Sequence, residues 1–503
     1  DGCLYTWLSP TSSLPHICPK MVADLVRVPY FHGLLPREDT KNLLVTPGDF
    51  LLRTSEPTPK GKREVILSVL VQKDIAKAAG GSREAVTIEP SMMTSVFGND
   101  LYAMMHYIFQ QTPDDAKFTF KGKEYASVVD IVNHYRDNKI SLSETHSILL
   151  LRSIGRRRWE FEHSAVTLTK KLGEGAYGEV HMGVLRRTRR GVEEQIEVAI
   201  KLAKIDGLKK TQVKEVMREA RTMRHFEHPH VVCLHGVAAM QEPLMLIMEL
   251  AKGGSLDSFL KRHLDLSYEK RCGMAMQAAW GLAYLHERNC LHRDIAARNC
   301  LYGDQKVKIS DFGMARPGPR YQMDPSTRVP IRWLSPETMA TSAYTFKSDV
   351  WSYGVLVWEI MHFAREPYTN RSPRDVLHFV RSGGRLEMDN MKPDLASLVR
   401  DRIMMVKEAS ERATMDEIVA AMEKITKLTL VKPVESPKPR KKSRVGVLSV
   451  LGRVGTKPTS IYSANSSGTG TLGDKSIIQA PLHQASPSNS ADIIPAPPTI
   501  SEN

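Results

Sequence analysis

The stretch CLHRDIAARNCL, from Cys290 to Leu301, carries polar residues whose order and spacing indicate phosphoryl transfer. Asp294 follows His292-Arg293, and Asn299 comes five residues after that acid. Phosphoryl transfer needs an acid that orients a hydroxyl group and oxygen ligands for a metal bound to nucleotide phosphates. A second motif, Asp311-Phe312-Gly313, follows and offers another carboxylate for that metal. Each motif is short enough to occur by chance. The surrounding sequence must therefore show whether the two motifs belong to a phosphoryl-transfer site.

Upstream, LGEGAYGEV (Leu172–Val180) places three glycines between residues suited to two strands. Such glycines let backbone amides approach triphosphate oxygens, although glycine-rich turns are common on their own. The apolar segment Val198–Ile200 then ends in Lys201, and a lysine on a buried strand needs an anionic partner unless it reaches the surface. The helix expected next offers Glu215 and Glu219, which lie one turn apart, so periodicity alone leaves both partners open.

A separate pattern precedes these motifs. Hydrophobic periodicity between residues 30 and 138 predicts helix, strand, strand, strand and helix, a small α+β unit. Arg53 stands inside an otherwise apolar strand, where an unpaired cation is costly to desolvate. A guanidinium group suits bidentate phosphate binding, but an internal Arg–carboxylate pair explains this single residue equally well.

Charge and cysteine content narrow the class of protein. The 503 residues have a formal net charge of +14, concentrated in runs such as 186–190 and 438–444. These runs fall in expected loops, linkers and tail without an aromatic stacking platform, so solvated segments are favoured over a nucleic-acid surface, and no nucleic-acid partner is expected. The six cysteines form no C-x-x-C pair, as is typical of reduced thiols in an intracellular protein. No apolar run approaches the ~20 residues of a membrane-spanning helix.

The two ends of the sequence are expected to lack a packed core. The chain starts at Asp1 without a charged-then-apolar leader, so no secretory signal is expected. This start is consistent with a fragment of a longer protein. Residues 1–27 are expected to be a loose lead-in, and residues 427–503 a disordered, basic, Ser/Pro-rich tail. The basic run 438–444 is a candidate nuclear-localisation or membrane-contact patch, with a solvated tail as the simpler interpretation.

The residues around Arg53 resemble an SH2 domain over 28–152, with Phe31-His32-Gly33 before the first helix, Phe50–Ser55 on a strand, and His106-Tyr107 later. The resemblance implies a central antiparallel sheet flanked by two helices and phosphotyrosine-containing partners. It assigns phosphotyrosine binding to five residues: Arg37, Arg53, Thr54, Ser55 and His106. A long insertion, at about 72–101, stands where the family usually has a short turn, which leaves the ligand preference open.

The later motifs, in their order, resemble the protein kinases. AARN after Asp294 and RVPIRWLSPE (Arg328–Glu337) are similar to the tyrosine-specific form, whereas serine/threonine kinases usually carry a lysine where this chain has Ala296. The resemblance implies a linker at 153–165 and a bilobal kinase domain at 166–426. An SH2 domain directly before a tyrosine kinase domain, with WEFEH at the junction and Met248 at the pocket, is most similar to the cytoplasmic Fes/Fer group.

This resemblance implies a site for ATP and Mg²⁺, with Mn²⁺ as an alternative. It pairs Lys201 with Glu219, makes Asp294 and Arg298 catalytic, and assigns the metal to Asn299 and Asp311. The ATP pocket is expected from Leu172, Gly173, Gly175, Gly178, Val180, Ala199, Lys201, Met248, Glu249, Ala251 and Leu301. In the large lobe, Asp349 is expected to brace the catalytic loop, and Arg412 to pair with Glu337.

Tyr321 is the expected activation-loop phosphosite, with an ordinary exposed tyrosine as the alternative. Its phosphate would add nearly two negative charges for Arg293 and Arg316 to bind, and modification is expected in trans. The expected function is phosphorylation of protein tyrosines in cytoplasmic signalling, with peripheral contact at the inner face of the plasma membrane through the basic tail as a further expectation. A catalytically inactive scaffold usually loses Lys, Asp or Asp-Phe-Gly, and all three are present here.

Overall fold

The structure is a computed structural model that describes residues 24–56, 63–72, 102–112, 117–175, 178–189, 191–203, 209–324, 327, 329–406 and 408–430. The lead-in up to residue 23, nearly all of the expected insertion (73–101) and the tail from residue 431 lie outside the described residues. The described residues up to Thr429 belong to one compact unit.

In its described residues, the N-terminal domain is a sheet with helices packed against it. Its main sheet has the order β3-β2-β1-β7, in which β1 pairs antiparallel with β2 and parallel with the short β7. The strands are β1 (Asp49–Ser55), β2 (Glu64–Gln72), β3 (Tyr102–Ile108), β4 (Gln110–Gln111), β5 (Phe118–Phe120), β6 (Lys123–Tyr125) and β7 (Arg152–Ser153), and the helices are α1 (Arg37–Leu43) and α2 (Val128–Asp137). The helix, strand, strand, strand, helix order expected from the sequence is therefore present.

Both faces of this sheet are covered, because β1 and β2 are buried along nearly their whole length. One face carries Phe50 and Leu52 and packs against α2. The opposite face carries Leu51 and Leu70. These side chains belong to a second hydrophobic core, which also includes residues of the lobe that follows in the sequence. A polar side chain on either face of such a sheet is shielded from bulk water. Arg53 must therefore find hydrogen-bond partners other than bulk water.

The small lobe that follows is a five-stranded antiparallel sheet of order β11-β12-β10-β9-β8 with one long helix. The elements are β8 (Val166–Gly175), β9 (Gly178–Arg189), β10 (Val192–Ala203), α3 (Lys210–Met223), β11 (Leu234–Ala238) and β12 (Met245–Glu249). The glycine-rich motif lies where β8 turns into β9, and Gly175 pairs with Gly178 across that turn.

The large lobe is mainly helical. Its helices are α4 (Leu256–Arg262), α5 (Tyr268–Glu287), α6 (Pro336–Thr341), α7 (Phe346–Met361), α8 (Pro373–Arg381), α9 (Pro393–Val399) and α10 (Met415–Thr426). Its short strands are β13 (Gly254–Ser255), β14 (Cys290–Leu291), β15 (Cys300–Gly303), β16 (Lys306–Ile309), β17 (Arg316–Pro317), β18 (Arg320–Gln322) and β19 (Ala343–Thr345). Every residue of α7 from Ser348 to Met361 is buried, as expected for a helix that is apolar on all sides.

The four cysteines within the described residues carry free thiols. No described helix combines the length and the apolar character that crossing a membrane requires.

An ion pair in the large lobe joins the buried Arg412 to the half-buried Glu337. Arg412 is 1% exposed and binds both carboxylate oxygens of Glu337, at 2.7 and 3.1 Å. It also donates to the carbonyl oxygens of Ile403 and Lys347. Burial would raise the pKa of Glu337, but the hydrogen bonds and charge of Arg412 lower it below its ordinary value.

We predict that Arg412→Met lowers the free energy of unfolding by about 3–5 kcal/mol, because the half-buried Glu337 would lose its cation and the carbonyls of Ile403 and Lys347 would lose a donor. Urea titration followed by tryptophan fluorescence measures the loss. The matched control is Arg402→Met, which removes an exposed arginine from a surface ion pair. Arg402 Nη2 lies 3.7 Å from Oε1 of Glu417. Its substitution should change stability by less than about 0.5 kcal/mol. Equal losses in the two variants would contradict the prediction.

Candidate functional site

The small lobe brings a lysine and a glutamate together. Lys201 on β10 donates to both carboxylate oxygens of Glu219 on α3, at 2.9 and 3.0 Å. Glu219 is 5% exposed, whereas Glu215 one turn earlier points to solvent. The structure therefore selects between the two glutamates that periodicity left open. The same Lys201 Nζ lies 3.7 Å from Oδ1 of Asp311, so two acidic groups converge on one ammonium.

The register of the strands shows which of the residues expected to bind the nucleotide lie on the same face of the sheet. Ala199 lies opposite Met248, and Lys201 lies opposite Val180, which in turn faces Gly173 on β8. Directly opposed residues project on the same face of a sheet, as do residues two apart on one strand. Val180, Ala199, Lys201 and Met248 therefore line one face of the small-lobe sheet.

The other expected pocket residues belong to the connection between the lobes and its surroundings. The amide of Glu249 donates to the carbonyl of Cys233, at 2.9 Å, and its carboxylate binds Lys308 of the large lobe, at 2.6 Å. Leu301 pairs with Ser255 on the neighbouring strand β13. Leu172, at the start of the glycine-rich hairpin, is 48% exposed.

The catalytic loop holds Asp294 in a network of donors. Asn299 Nδ2 donates to the Asp294 carbonyl, at 2.9 Å, and to its Oδ2, at 2.6 Å, while Arg298 forms a short ion pair with Oδ1. Burial raises the pKa of Asp294, and the charges of Arg298 and His292 oppose that rise. The carboxylate is therefore fixed in position and a better proton acceptor than an exposed aspartate.

Two buried carboxylates of α7 hold this loop. Asp349 accepts the backbone amides of His292 and Arg293, each at 2.8 Å. Arg293 has a φ of 73°, a left-handed conformation that costs about 1–3 kcal/mol and persists only where its surroundings enforce it. Glu359, nearly three helical turns farther on, accepts the Ala297 amide at 2.9 Å and the Trp333 indole N–H at 3.0 Å.

The chemistry of Asn299 and Asp311 fits a hard divalent cation. Both Asn299 hydrogen bonds named above use its amide nitrogen, which leaves its oxygen as a ligand. Asp311 keeps a partly exposed carboxylate, and the adjacent Phe312 is buried against Phe226 and His292. Oxygen ligands from one or two side chains, completed by phosphates and water, are what Mg²⁺ prefers. No group of three or more His, Cys, Asp or Glu suited to a metal occurs in the described residues.

Tyr321 lies on β18, which pairs with β19, and its ring is half-buried among cations. The guanidinium of Arg293 lies 4.1 Å from the ring centroid, and that of Arg316 lies 5.3 Å away. The two arginines expected to receive a phosphate on Tyr321 are thus already beside it.

In the N-terminal domain, Arg53 is 3% exposed and donates from Nε to Ser68 Oγ, at 3.1 Å, and from Nη1 to the Leu35 carbonyl, at 3.4 Å. Ser68 also bonds His106 Nδ1, at 2.9 Å. Among the described residues no carboxylate lies within ion-pair distance of Arg53, so the internal Arg–carboxylate alternative is not what the structure shows. Burial and the charge of Arg37 lower the pKa of Arg53 to about 10.

The expected phosphate residues line a single cavity. Arg37, Arg53, Thr54, Ser55 and His106 all face it. Its walls also hold residues from outside the N-terminal domain, namely Lys210, Val213 and Lys214.

The N-terminal domain packs directly on the helix that carries Glu219. Asp39 of α1 binds Arg221 of α3 through two hydrogen bonds, at 2.7 and 3.0 Å. Leu51 of β1 shares a hydrophobic core with Met217 of α3. At Gly33, with a φ of 60°, an added Cβ would lie 2.2 Å from the Ala239 carbonyl, so only glycine allows this close approach of the two backbones.

Comparison with known proteins identifies the two domains. The SH2 domain family matches residues 30–135, and the protein tyrosine and serine/threonine kinase family matches residues 166–422. The chain is 34% identical over 399 residues to Fer-related kinase 1 of Caenorhabditis elegans, which covers 78% of this chain and 93% of that protein. It is 32% identical over 389 residues to tyrosine-protein kinase Fer of Homo sapiens, which covers 76% of this chain and 42% of that protein.

A third relative is the tyrosine-protein kinase transforming protein Fps of avian sarcoma virus (strain PRCII), at 30% identity over 394 residues, or 77% of this chain and 66% of that protein. The fold, the paired Lys201 and Glu219, and these matches define an SH2-containing protein tyrosine kinase. The chain belongs to the Fes/Fer group of that family. The expected fold class and enzyme class are confirmed, and they imply ATP, protein substrates and phosphotyrosine-bearing partners. The domain bounds given above stay predictions.

Sequence reasoning missed three features of these sites. Ser68 interrupts the apolar run VILSVLV, and that single polar residue on a buried strand was an available signal. Glu359 interrupts the apolar helix α7 in the same way. By contrast, no local pattern indicated that Lys210 and Lys214 of α3 face the N-terminal domain, because that contact joins distant parts of the chain.

Burial raises the pKa of Glu359 to about 7, although the Trp333 and Ala297 N–H groups oppose the rise. An unfolded glutamate ionises near pH 4.3, so the native state holds this proton over a range in which the unfolded chain has lost it. The contribution of Glu359 to stability is therefore complete below about pH 4.3 and is lost as the pH rises through about 7.

We predict that Glu359→Gln, which keeps an acceptor oxygen but cannot ionise, becomes progressively more stable relative to the wild type between about pH 5 and pH 7.5. Thermal unfolding midpoints at several pH values measure the difference. The exposed control Glu411→Gln should follow the wild type at every pH. Parallel pH profiles for wild type and Glu359→Gln would show that the buried carboxyl does not titrate in this range.

Proposed function

We propose that the chain phosphorylates protein tyrosines with the residues assembled between its lobes, while the Arg53 cavity binds phosphotyrosine. The observation that carries the catalytic part is the convergence of Glu219 and Asp311 on Lys201, with Asp294 held by Asn299. Phosphoryl transfer depends mainly on positioned charges, and this arrangement supplies them without a further change in the protein.

In the proposed mechanism Lys201, positioned by Glu219, binds the α- and β-phosphates of ATP. Asn299 and Asp311 would hold Mg²⁺, or Mn²⁺ in its place, and the bound ion would neutralise charge on the phosphate oxygens. Asp294 accepts the proton of the tyrosine hydroxyl as that oxygen bonds the γ-phosphorus of ATP in line, and the bond from phosphorus to the bridging oxygen breaks to release ADP. Arg298 keeps the Asp294 carboxylate oriented.

The remaining pocket residues position the nucleotide. The glycine-rich hairpin, with Gly173, Gly175 and Gly178, covers the phosphates, and the backbone between Glu249 and Ala251 hydrogen-bonds adenine. Met248 and Ala199 lie on the sheet face described above, and Leu301 lies on the large-lobe side. The alternation of apolar residues around a few convergent polar groups is typical of a small-molecule site.

The SH2 domain has two roles in this proposal. It docks partners that carry phosphotyrosine, which raises the effective concentration of substrates already phosphorylated once. Its α1 also braces α3 through Asp39 and Arg221, and thereby supports the position of Glu219.

We place this activity in the cytoplasm, in keeping with the free thiols of the described cysteines. Peripheral contact of the basic run 438–444 with the inner face of the plasma membrane is supported by charge alone, since that run lies outside the described residues.

We predict that the chain, given ATP, Mg²⁺ and paired peptides that differ only in Tyr or Ser, labels the Tyr peptide. Lys201→Met should lower kcat/KM by at least about 100-fold, because it removes a preorganised charge from the phosphates. Lys424→Met, an exposed control on α10, should retain wild-type activity. Labelling of the Ser peptide alone, or equal activity in Lys201→Met, would reject the mechanism.

We also predict that Tyr321 is phosphorylated in trans, so that its modification per enzyme molecule rises with enzyme concentration. Mass spectrometry of enzyme incubated with ATP and Mg²⁺ measures the modification. Tyr344, which lies opposite Tyr321 on β19 and is 2% exposed, is the internal control and should stay unmodified. An active enzyme whose Tyr321 carries no phosphate would argue against this assignment.

A further inference from the structure

We propose that Lys210 and Lys214 of the kinase domain are ligands of the phosphotyrosine bound by the SH2 domain, so that the pocket is built from both domains. This inference rests on the proposed phosphotyrosine function of the Arg53 cavity. It adds that the affinity of the full chain for phosphotyrosine depends on α3 of the small lobe.

The shape of the cavity supports a composite site. Its volume is about 290 Å³, and its lining includes Arg53, Thr54 and His106 of the SH2 domain. The first turn and a half of α3 also lines the cavity and contributes Lys210, Val213 and Lys214. Lys210 and Lys214 are four residues apart, so they project from the same face of the helix.

Both ammonium groups contact the SH2 domain. Lys210 Nζ donates to the backbone carbonyl of Glu56, at 2.7 Å. Lys214 Nζ lies 3.0 Å from Oε1 of Glu38. An ammonium group has three N–H donors, so these contacts hold each lysine at the cavity and leave donors for phosphate oxygens.

The charges around the cavity favour a dianion. Six cationic side chains line it against two carboxylates: Arg37, Lys41, Arg53, Arg63, Lys210 and Lys214 against Glu38 and Glu56. Burial and the nearby charge of Arg37 lower the pKa of Arg53, and the charge of Glu38 opposes them.

Two buried polar atoms also indicate a ligand. Thr54 Oγ1 and His106 Nε2 belong to side chains that are 3% exposed, and within the described part of the chain neither atom has a hydrogen-bond partner. Buried polar atoms without partners are rare in folded proteins because each costs free energy. A phosphate group in the cavity would provide acceptors for both.

The test is the binding of a fluorescent phosphotyrosine peptide with neutral flanking residues to the full chain, measured by fluorescence anisotropy. Neutral flanks restrict the response of the lysines to the phosphate group. Lys210→Gln and Lys214→Gln should each weaken binding by about fivefold to tenfold, because each removes a charge-assisted hydrogen bond. Lys210→Arg, which keeps the charge, should stay within about threefold of wild type.

Lys209→Gln is the matched control, since Lys209 is exposed at the start of the same helix and lies outside the cavity lining. It makes the same change in net charge and should bind within about twofold of wild type. Thermal unfolding midpoints equal to that of the wild type establish that each variant is folded.

Arg53→Gln separates the two levels of the proposal. If Arg53→Gln loses binding while Lys210→Gln and Lys214→Gln bind like the wild type, the SH2 function stands and the composite pocket is wrong. Equal weakening in Lys209→Gln would also overturn the inference, because the effect would then be one of general charge. A wild-type chain that does not distinguish the phosphorylated from the unphosphorylated peptide would refute the proposed function together with the inference.

Discussion

The ion pair between Lys201 and Glu219 is the interaction on which the arrangement of the active site depends. It links the central strand of the small-lobe sheet to α3, and both charges are largely removed from water. A buried charge that loses its partner is strongly destabilising, so α3 must lie where Glu219 reaches β10. In that position Lys201 also faces Asp311, which brings the large lobe into the same site.

The position of α3 is determined from two sides. Its inner side meets the small-lobe sheet, and other residues of the same helix meet the SH2 domain through the Asp39–Arg221 pair and the core around Leu51. The hydrophobic effect supplies most of the free energy of such packing, whereas the ion pairs define the register between the surfaces. The large lobe follows a related pattern, because Asp349 and Glu359 of the buried helix α7 fix the backbone of the catalytic loop.

Local sequence patterns predict much of this molecule, and the limits have physical causes. The order of elements around Arg53, the glycine-rich hairpin and the buried helix α7 follow from short-range periodicity and turn chemistry. The choice between Glu215 and Glu219 does not, since both lie on a helix whose rotation is set by tertiary packing. Ser68 and Glu359 were visible as polar interruptions of apolar segments, but their partners lie far away in sequence. The contact of Lys210 with Glu56 joins residues 154 apart, which no local pattern encodes.

The most direct measurement is a crystal structure of the full chain with Mg²⁺ and a non-hydrolysable ATP analogue. The account predicts that Lys201 Nζ lies within hydrogen-bond distance of the α- or β-phosphate and stays paired with Glu219, with Asn299 and Asp311 as metal ligands. A nucleotide bound away from Lys201, or bound with Glu219 turned out to solvent, would contradict it.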